Sequence, residues 1–226
     1  MKHGKYAITI YRRKGQKRLS VRKEAKHHLI VFAPYRMRKD ELLGLLDKNR
    51  IQIDNLPARF DYKSLLEKPS VLTLFGKDFP VIYQKGNAHV TFDGQTIKVT
   101  HSTLKTNATA GLLQAFLKDR LRTEAESYHH VLMNKHKQFY PLPNQIKSRY
   151  MHTRFGSCNP QKKTINLNLA LIHYPKRFLK SVYLHELVHF EHQNHSKRYY
   201  QQLTRFNPNY KTDKRDLEIY HRAFQK

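Results

Sequence analysis

The hydrophobic pattern changes period part-way along the chain, and that change limits the fold more than any other feature. Up to about residue 105 the apolar residues mostly alternate, as on strands with one buried face. Ile8 and Ile10 alternate, the turn-like run Arg13-Lys14-Gly15-Gln16 follows, and Leu19 and Val21 alternate again, which reads as a β-hairpin. Residues 28–33 form a further apolar strand stopped by Pro34. Residues 39–53 switch to a helical period, with Leu42, Leu45 and Leu46 on one side. Strand patterns return at 71–75, ended by Gly76, and at 79–83. Val90 and Phe92 then lead through Asp93-Gly94 to Ile97 and Val99, a strong hairpin signal. From 108 to 139 the spacing is that of one long helix, carrying Leu113, Leu117 and Leu121 and ended by Pro141 and Pro143. A short strand pair, 145–155 and 164–169, is joined by Gly156-Ser157-Cys158-Asn159-Pro160, and Pro175 opens a further helix. The expectation is an α+β protein, with a β-rich region over residues 1–105 and a second half over 106–226.

The 226 residues suffice for one large or two small domains, and 14 Tyr and 12 Phe supply the buried area that a modest aliphatic content would not. No run of about 18 apolar residues predicts a membrane-spanning helix. The opening residues lack the apolar core of a secretory signal, and the single cysteine, Cys158, allows no intrachain disulfide. A reducing, cytoplasmic setting is expected. The net charge of +26 is unevenly placed. Residues 1–39 hold 13 Lys and Arg against one acid, Glu24; residues 40–104 balance at 8 of each; residues 105–226 hold 22 basic and 8 acidic side chains. A polyanion partner, DNA or RNA, is expected, held through phosphates and therefore without sequence preference.

Residues 185–189 read His-Glu-Leu-Val-His. On a helix, positions i and i+4 differ by about 40° and about 6 Å, so His185 and His189 can reach one ion from the same face. Glu186 is rotated about 100° from His185. It therefore lies beside the ion, where it can take a proton from water that a zinc ion has acidified. Composition alone yields such a pentad roughly 0.035 times in a chain like this. A third ligand is needed. His192 shares the helical face but lies about 4.5 Å beyond His189. His195 would be about 15 Å from His185 on a continuous helix, so the chain must turn back to bring it in. Gln193-Asn194 could make that turn, since Asn tolerates the left-handed conformation, and Ser196 could cap a following helix bearing Tyr199, Tyr200, Leu203 and Phe206. His195 is favoured, with His192 second and Asp213, Asp216 or Glu218 as a carboxylate alternative. For stabilising an oxyanion, Arg149, Tyr150, His152 and Arg154 are candidates. Cys158 reads as a small buried residue rather than a ligand.

Arg154-Phe155-Gly156-Ser157-Cys158, Ile165-Asn166-Leu167-Asn168, the His185–His189 pentad and Asn194-His195-Ser196 together resemble the YgjP-like metallopeptidases, relatives of SprT-like and other zincin-type peptidases. The likeness is best over residues 145–210. The basic front hairpin, Val31-Phe32-Ala33-Pro34 and Leu74-Phe75-Gly76-Lys77 are also similar. Phe155 stands where the family pattern usually has Trp. The resemblance implies a zincin-like α+β fold, zinc on His185, His189 and His195, Glu186 as catalytic acid/base, and a protein or peptide substrate. The expected function is zinc-dependent peptide hydrolysis, with action near nucleic acid as a further expectation. The alternative is a non-catalytic nucleic-acid-binding protein with a vestigial or structural metal site.

Overall fold

A computed structural model describes residues 1–55, 60–136 and 142–225. The chain is α+β and divides into two compact units, residues 1–61 and 62–226.

The first unit is a four-stranded sheet with helices on one face. Its strands are β1 (Lys2–His3), β2 (Tyr6–Arg13), β3 (Ser20–Ala25) and β4 (His28–Pro34), in the order β1-β2-β4-β3. The expected hairpin of residues 6–10 with 19–21 is not made. β2 runs parallel to β4, and β3 pairs antiparallel with β4. β4 is the most apolar of the strands, with Leu29, Val31 and Ala33 buried, and takes the central place where both of its edges are covered. The helical segment expected over 39–53 is broken at Asn49 into α1 (Lys39–Lys48) and α2 (Arg50–Asp54). Leu42, Leu46 and Ile53 from these helices close the core over Tyr6, Ile8, Leu29 and Val31.

The second unit begins with a sheet of β5 (Val71–Leu74), β6 (Lys77–Gln84), β7 (His89–Phe92) and β8 (Ile97–Thr100), ordered β5-β6-β8-β7. The Asp93-Gly94 hairpin forms as expected, β7 against β8. This sheet belongs with the long helix α3 (Thr106–His136), so the compact units part at 61 and not near 105. Phe92 packs edge-on to Phe116 of α3, and the Arg120 guanidinium lies over the Phe92 ring. α3 turns a stripe at i, i+4 inward: Leu113, Leu117, Leu121 and Ala125 are all fully buried. The last expected helical residues, 137–139, and Pro141 lie outside the described residues.

A third sheet follows, of β9 (Gln145–Arg149), β10 (Gly156–Asn159) and β11 (Thr164–Asn168), ordered β10-β11-β9. Here the expected strand pair is corrected. β9 runs parallel to β11, and the stretch read as a connection is itself a strand, antiparallel to β11. The reversal comes later, after Asn159, whose side-chain oxygen accepts from the Lys162 amide at 2.9 Å. Asn168 explains the path between β9 and β10. Its buried amide accepts from the Met151 and Ala170 N–H groups and donates to the Met151 and Arg154 carbonyls. That saturated amide clamps residues 151–154 to the end of β11.

A short 3-10 turn (Leu169–His173) leads to α4 (Lys176–Val188), with Pro175 at its N-cap. α4 is buried on nearly every side, through Phe178, Leu179, Val182, Tyr183, Leu184, Leu187 and Val188, each such side chain contributing about 1.5–3 kcal/mol. α5 (Lys197–Phe206) and α6 (Tyr210–Phe224) complete the unit. No helix among the described residues is long and apolar enough to cross a membrane.

Just before α4, His173 is held neutral. Its Nδ1 donates to the Thr73 carbonyl at 2.9 Å, and its Nε2 accepts from the Tyr150 hydroxyl at 3.0 Å. Burial depresses its pKa from 6.5 to about 4. The unfolded chain therefore binds more protons than the folded one between these values, and stability falls as pH drops through that window. The expected loss is about 3 kcal/mol by pH 4. Urea midpoints should decline less between pH 7 and pH 4.5 for His173→Gln than for the wild type, although the variant is less stable at neutral pH.

Candidate metal centre

α4 stops where the motif ends. Val188 is its last residue, and His189 is the C-cap. Beyond it the Phe190 amide bonds to the Leu187 carbonyl, and the Glu191 and His192 amides bond to that of Val188. These bonds satisfy carbonyls that a helix end leaves open. The chain then bends back, the Ser196 amide meeting the Asn194 carbonyl at 2.8 Å. Among the described non-glycine residues only Lys68, Phe75 and Lys163 have positive φ, so the reversal needs no left-handed residue at Asn194. Ser196 caps α5 as expected, its hydroxyl accepting from the Tyr199 amide.

The reversal brings three imidazoles together. His195 Nε2 lies 3.1 Å from His189 Nε2 and 3.3 Å from His185 Nε2. Nitrogens bound at 2.0–2.1 Å to one tetrahedral ion lie about 3.3–3.4 Å apart, so this spacing fits a zinc-sized cation. Among the described residues, this trio is the one His, Cys, Asp or Glu group placed to hold a metal ion.

The outer nitrogens fix the tautomers. His189 Nδ1 donates to the His192 carbonyl at 2.9 Å, which leaves Nε2 with a bare lone pair. His185 Nδ1 faces the hydroxyls of Tyr199 at 2.6 Å and Tyr210 at 2.8 Å. Tyr199 donates its own proton to the His185 carbonyl at 3.2 Å, so its oxygen is able to accept from Nδ1. Burial, then the neighbouring His189 and His195 charges, push the His185 pKa down to about 3, and burial lowers that of His195. Neutral imidazole is the ligating form.

Glu186 points beside the trio and is buried, 6% exposed. Burial raises its carboxyl to about 7, against the opposing pull of Arg154. Gly156 of β10 is what leaves room for it. A Cβ there would lie 2.6 Å from Glu186 Oε1 and 2.8 Å from Cγ.

The remaining sequence candidates separate. Arg154 lines a pocket of about 300 Å³ with Glu186, His185, His195, Tyr200, Tyr210 and Lys214. Tyr150 does not reach the site, being half-buried with its hydroxyl on His173 and its ring stacked on Tyr62. His152 packs against Tyr62 and lines a different hollow with Glu218 and His221. Arg149 sits exposed on β9. His192 is turned to Gln202, 2.7 Å away, and serves through its carbonyl. Asp213 and Asp216 are engaged by Arg177, and Glu218 lines the His152 hollow, so no acid joins the imidazoles. Cys158 borders the site but stands outside the metal-holding trio, and burial pushes its thiol up to about 11. Tyr199, Tyr210 and Gly156 are the functional positions that spacing did not reveal.

The model of the YgjP-like, metallopeptidase domain family matches residues 17–220. The chain belongs to the YgjP-like family. No curated protein matches it. Membership in a metallopeptidase family implies a metal, and in this YgjP-like chain the three converging imidazoles are the donor set that fits one.

Removing a partner that orients a ligand commonly costs 10–100-fold in metal affinity. Tyr199→Phe should therefore weaken zinc binding by about that factor in a chelator competition, with the fold intact by circular dichroism.

Proposed function

We propose that this chain is a zinc-dependent peptidase, with His185, His189 and His195 holding the ion and Glu186 acting as general base and acid. The observation that carries the reading is the convergence of three imidazoles, with His195 Nε2 3.1 Å and 3.3 Å from the Nε2 atoms of His189 and His185, beside the buried Glu186. Zinc bound there would supply Lewis acidity, polarising a carbonyl and acidifying water. Glu186 takes the proton of the attacking water and delivers it to the leaving amine. Arg154, which lines the pocket with Tyr200, Tyr210 and Lys214, would stabilise negative charge on the carbonyl oxygen.

An extended peptide suits the surroundings. β10 lies at the edge of its sheet and pairs on one side with β11. Gly156, Ser157, Cys158 and Asn159 of this strand line a groove of about 530 Å³ together with His185, Glu186 and His189. A substrate strand added to that edge would run past the imidazoles, held by main-chain hydrogen bonds.

Three substitutions test the assignment. Glu186→Gln should keep zinc and lose about 10²–10⁴-fold in kcat/KM on an unstructured protein substrate. His195→Ala should lose zinc, measured by metal analysis of the purified protein. Gly156→Ala should keep zinc but lower kcat, because its methyl group displaces the carboxylate. Unchanged function of Glu186→Gln would favour a non-catalytic metal site.

A further inference from the structure

We infer that the outer face of the N-terminal sheet binds single-stranded nucleic acid, independently of the peptidase reading. β4 alternates strictly, and β2 and the start of β3 follow it in register. Ile8, Leu29 and Val31 turn toward α1 and α2, which leaves Tyr11 and Arg13 of β2, Ile30 and Phe32 of β4 and Arg22 of β3 on the opposite face.

On that face aromatic rings and cations interleave. Tyr11 and Phe32 are register partners and stack with centroids 5.6 Å apart, and Tyr11 is 50% exposed. The Arg13 guanidinium sits 4.2 Å from the Phe32 centroid and that of Arg22 5.5 Å, from the two flanking strands. Beyond the sheet, Lys14 lies over the ring of Tyr35, which is 59% exposed.

These cations differ from others in the same unit. Lys5 pairs with Asp54, Lys23 donates to the Asp54 carbonyl, and Arg12 donates to the Tyr35 carbonyl. Arg13 and Arg22 pair with no carboxylate among the described residues. Residues 1–39 carry 13 basic side chains and one acid, so the field around the face is positive.

The ligand must offer negative charge and flat apolar surfaces together. A single strand presents both, phosphates for Arg13, Arg22 and Lys14 and unstacked bases for Tyr11. A duplex hides its base faces, and an acidic peptide has none. The contacts carry no base-edge readout, so binding is sequence-tolerant.

Fluorescence anisotropy with a labelled 20-nucleotide oligothymidine, its duplex with oligoadenosine, and polyglutamate tests this on the zinc-loaded full chain. Oligothymidine should bind at least tenfold tighter than the duplex or polyglutamate. Tyr11→Ala should weaken it about tenfold or more. Arg13→Ala/Arg22→Ala should flatten the log affinity against log salt slope by about 1.4. Lys39→Ala/Lys48→Ala, which removes equal charge from α1, should change affinity by less than threefold. Bromodeoxyuridine crosslinks should map to the peptides holding Tyr11 or Phe32, a readout that does not depend on any variant folding. Equal or tighter binding of duplex or polyglutamate, wild-type affinity of Tyr11→Ala, an equal loss in the α1 variant, or crosslinks elsewhere would overturn the inference.

Discussion

His185 of α4, His189 at its C-cap and His195 beyond it meet because α4 ends at Val188. Had the helix run on, His195 would lie about 15 Å from His185 and no third nitrogen could reach the ion. The short amide-to-carbonyl bonds onto Leu187 and Val188 wind the helix off within one turn. The same turn swings the His192 carbonyl round to His189 Nδ1, so a single backbone event both ends the helix and sets a ligand tautomer. Ser196 then starts α5 at once, and α5 carries Tyr199 back to His185. Ligand, tautomer and supporting hydroxyl thus all follow from one helix stop and the cap three residues short of Tyr199.

Rigidity comes from α4 itself. It is packed on nearly every side, so the pentad cannot rotate without opening the core. Glu186 belongs to that packed surface, and a buried carboxyl is costly when charged. Burial raises its pKa for this reason, and the exposed Arg154 guanidinium partly offsets the rise. The carboxyl stays accessible to the groove because Gly156 has no side chain. Arg154 in turn is fixed through its carbonyl, which accepts from the buried Asn168 amide. The loop bearing the pocket cation and the strand bearing the glycine are therefore tied to the same end of β11.

The parts of this arrangement that sequence revealed are those with local periodicity. The pentad, the capping Ser196, the long α3 stripe and the Asp93-Gly94 hairpin are each specified by neighbours a few residues apart. What escaped is long-range. Nothing local says that β4 rather than β3 lies beside β2, since both alternate; the greater apolarity of β4 decides. The Gly156–Asn159 run looks like a turn because it is Gly-, Ser- and Asn-rich, yet it forms a strand edge against β11. Tyr150 and His152 sit close in sequence to Arg154 and still point elsewhere, because the Asn168 clamp bends the chain between them. Tyr210 meets His185 across 25 residues, with no pattern linking the two.

Charge placement separates the cations that serve the fold from those that do not. With 43 Lys and Arg against 17 Asp and Glu, most cations have no acid available, and their mutual repulsion opposes compaction. Spreading that charge evenly would minimise the penalty, yet the middle of the chain is neutral and the first 39 residues hold 12 net charges. In the second unit some of the acids stand in structural pairs, Arg177 with Asp213 and Asp216, Lys176 with Glu124. An exposed pair such as Lys176 with Glu124 contributes about 0–1 kcal/mol, little against that repulsion. The basic excess of residues 1–39, with one acid among them, therefore opposes folding more than internal pairs such as Lys5 with Asp54 offset it.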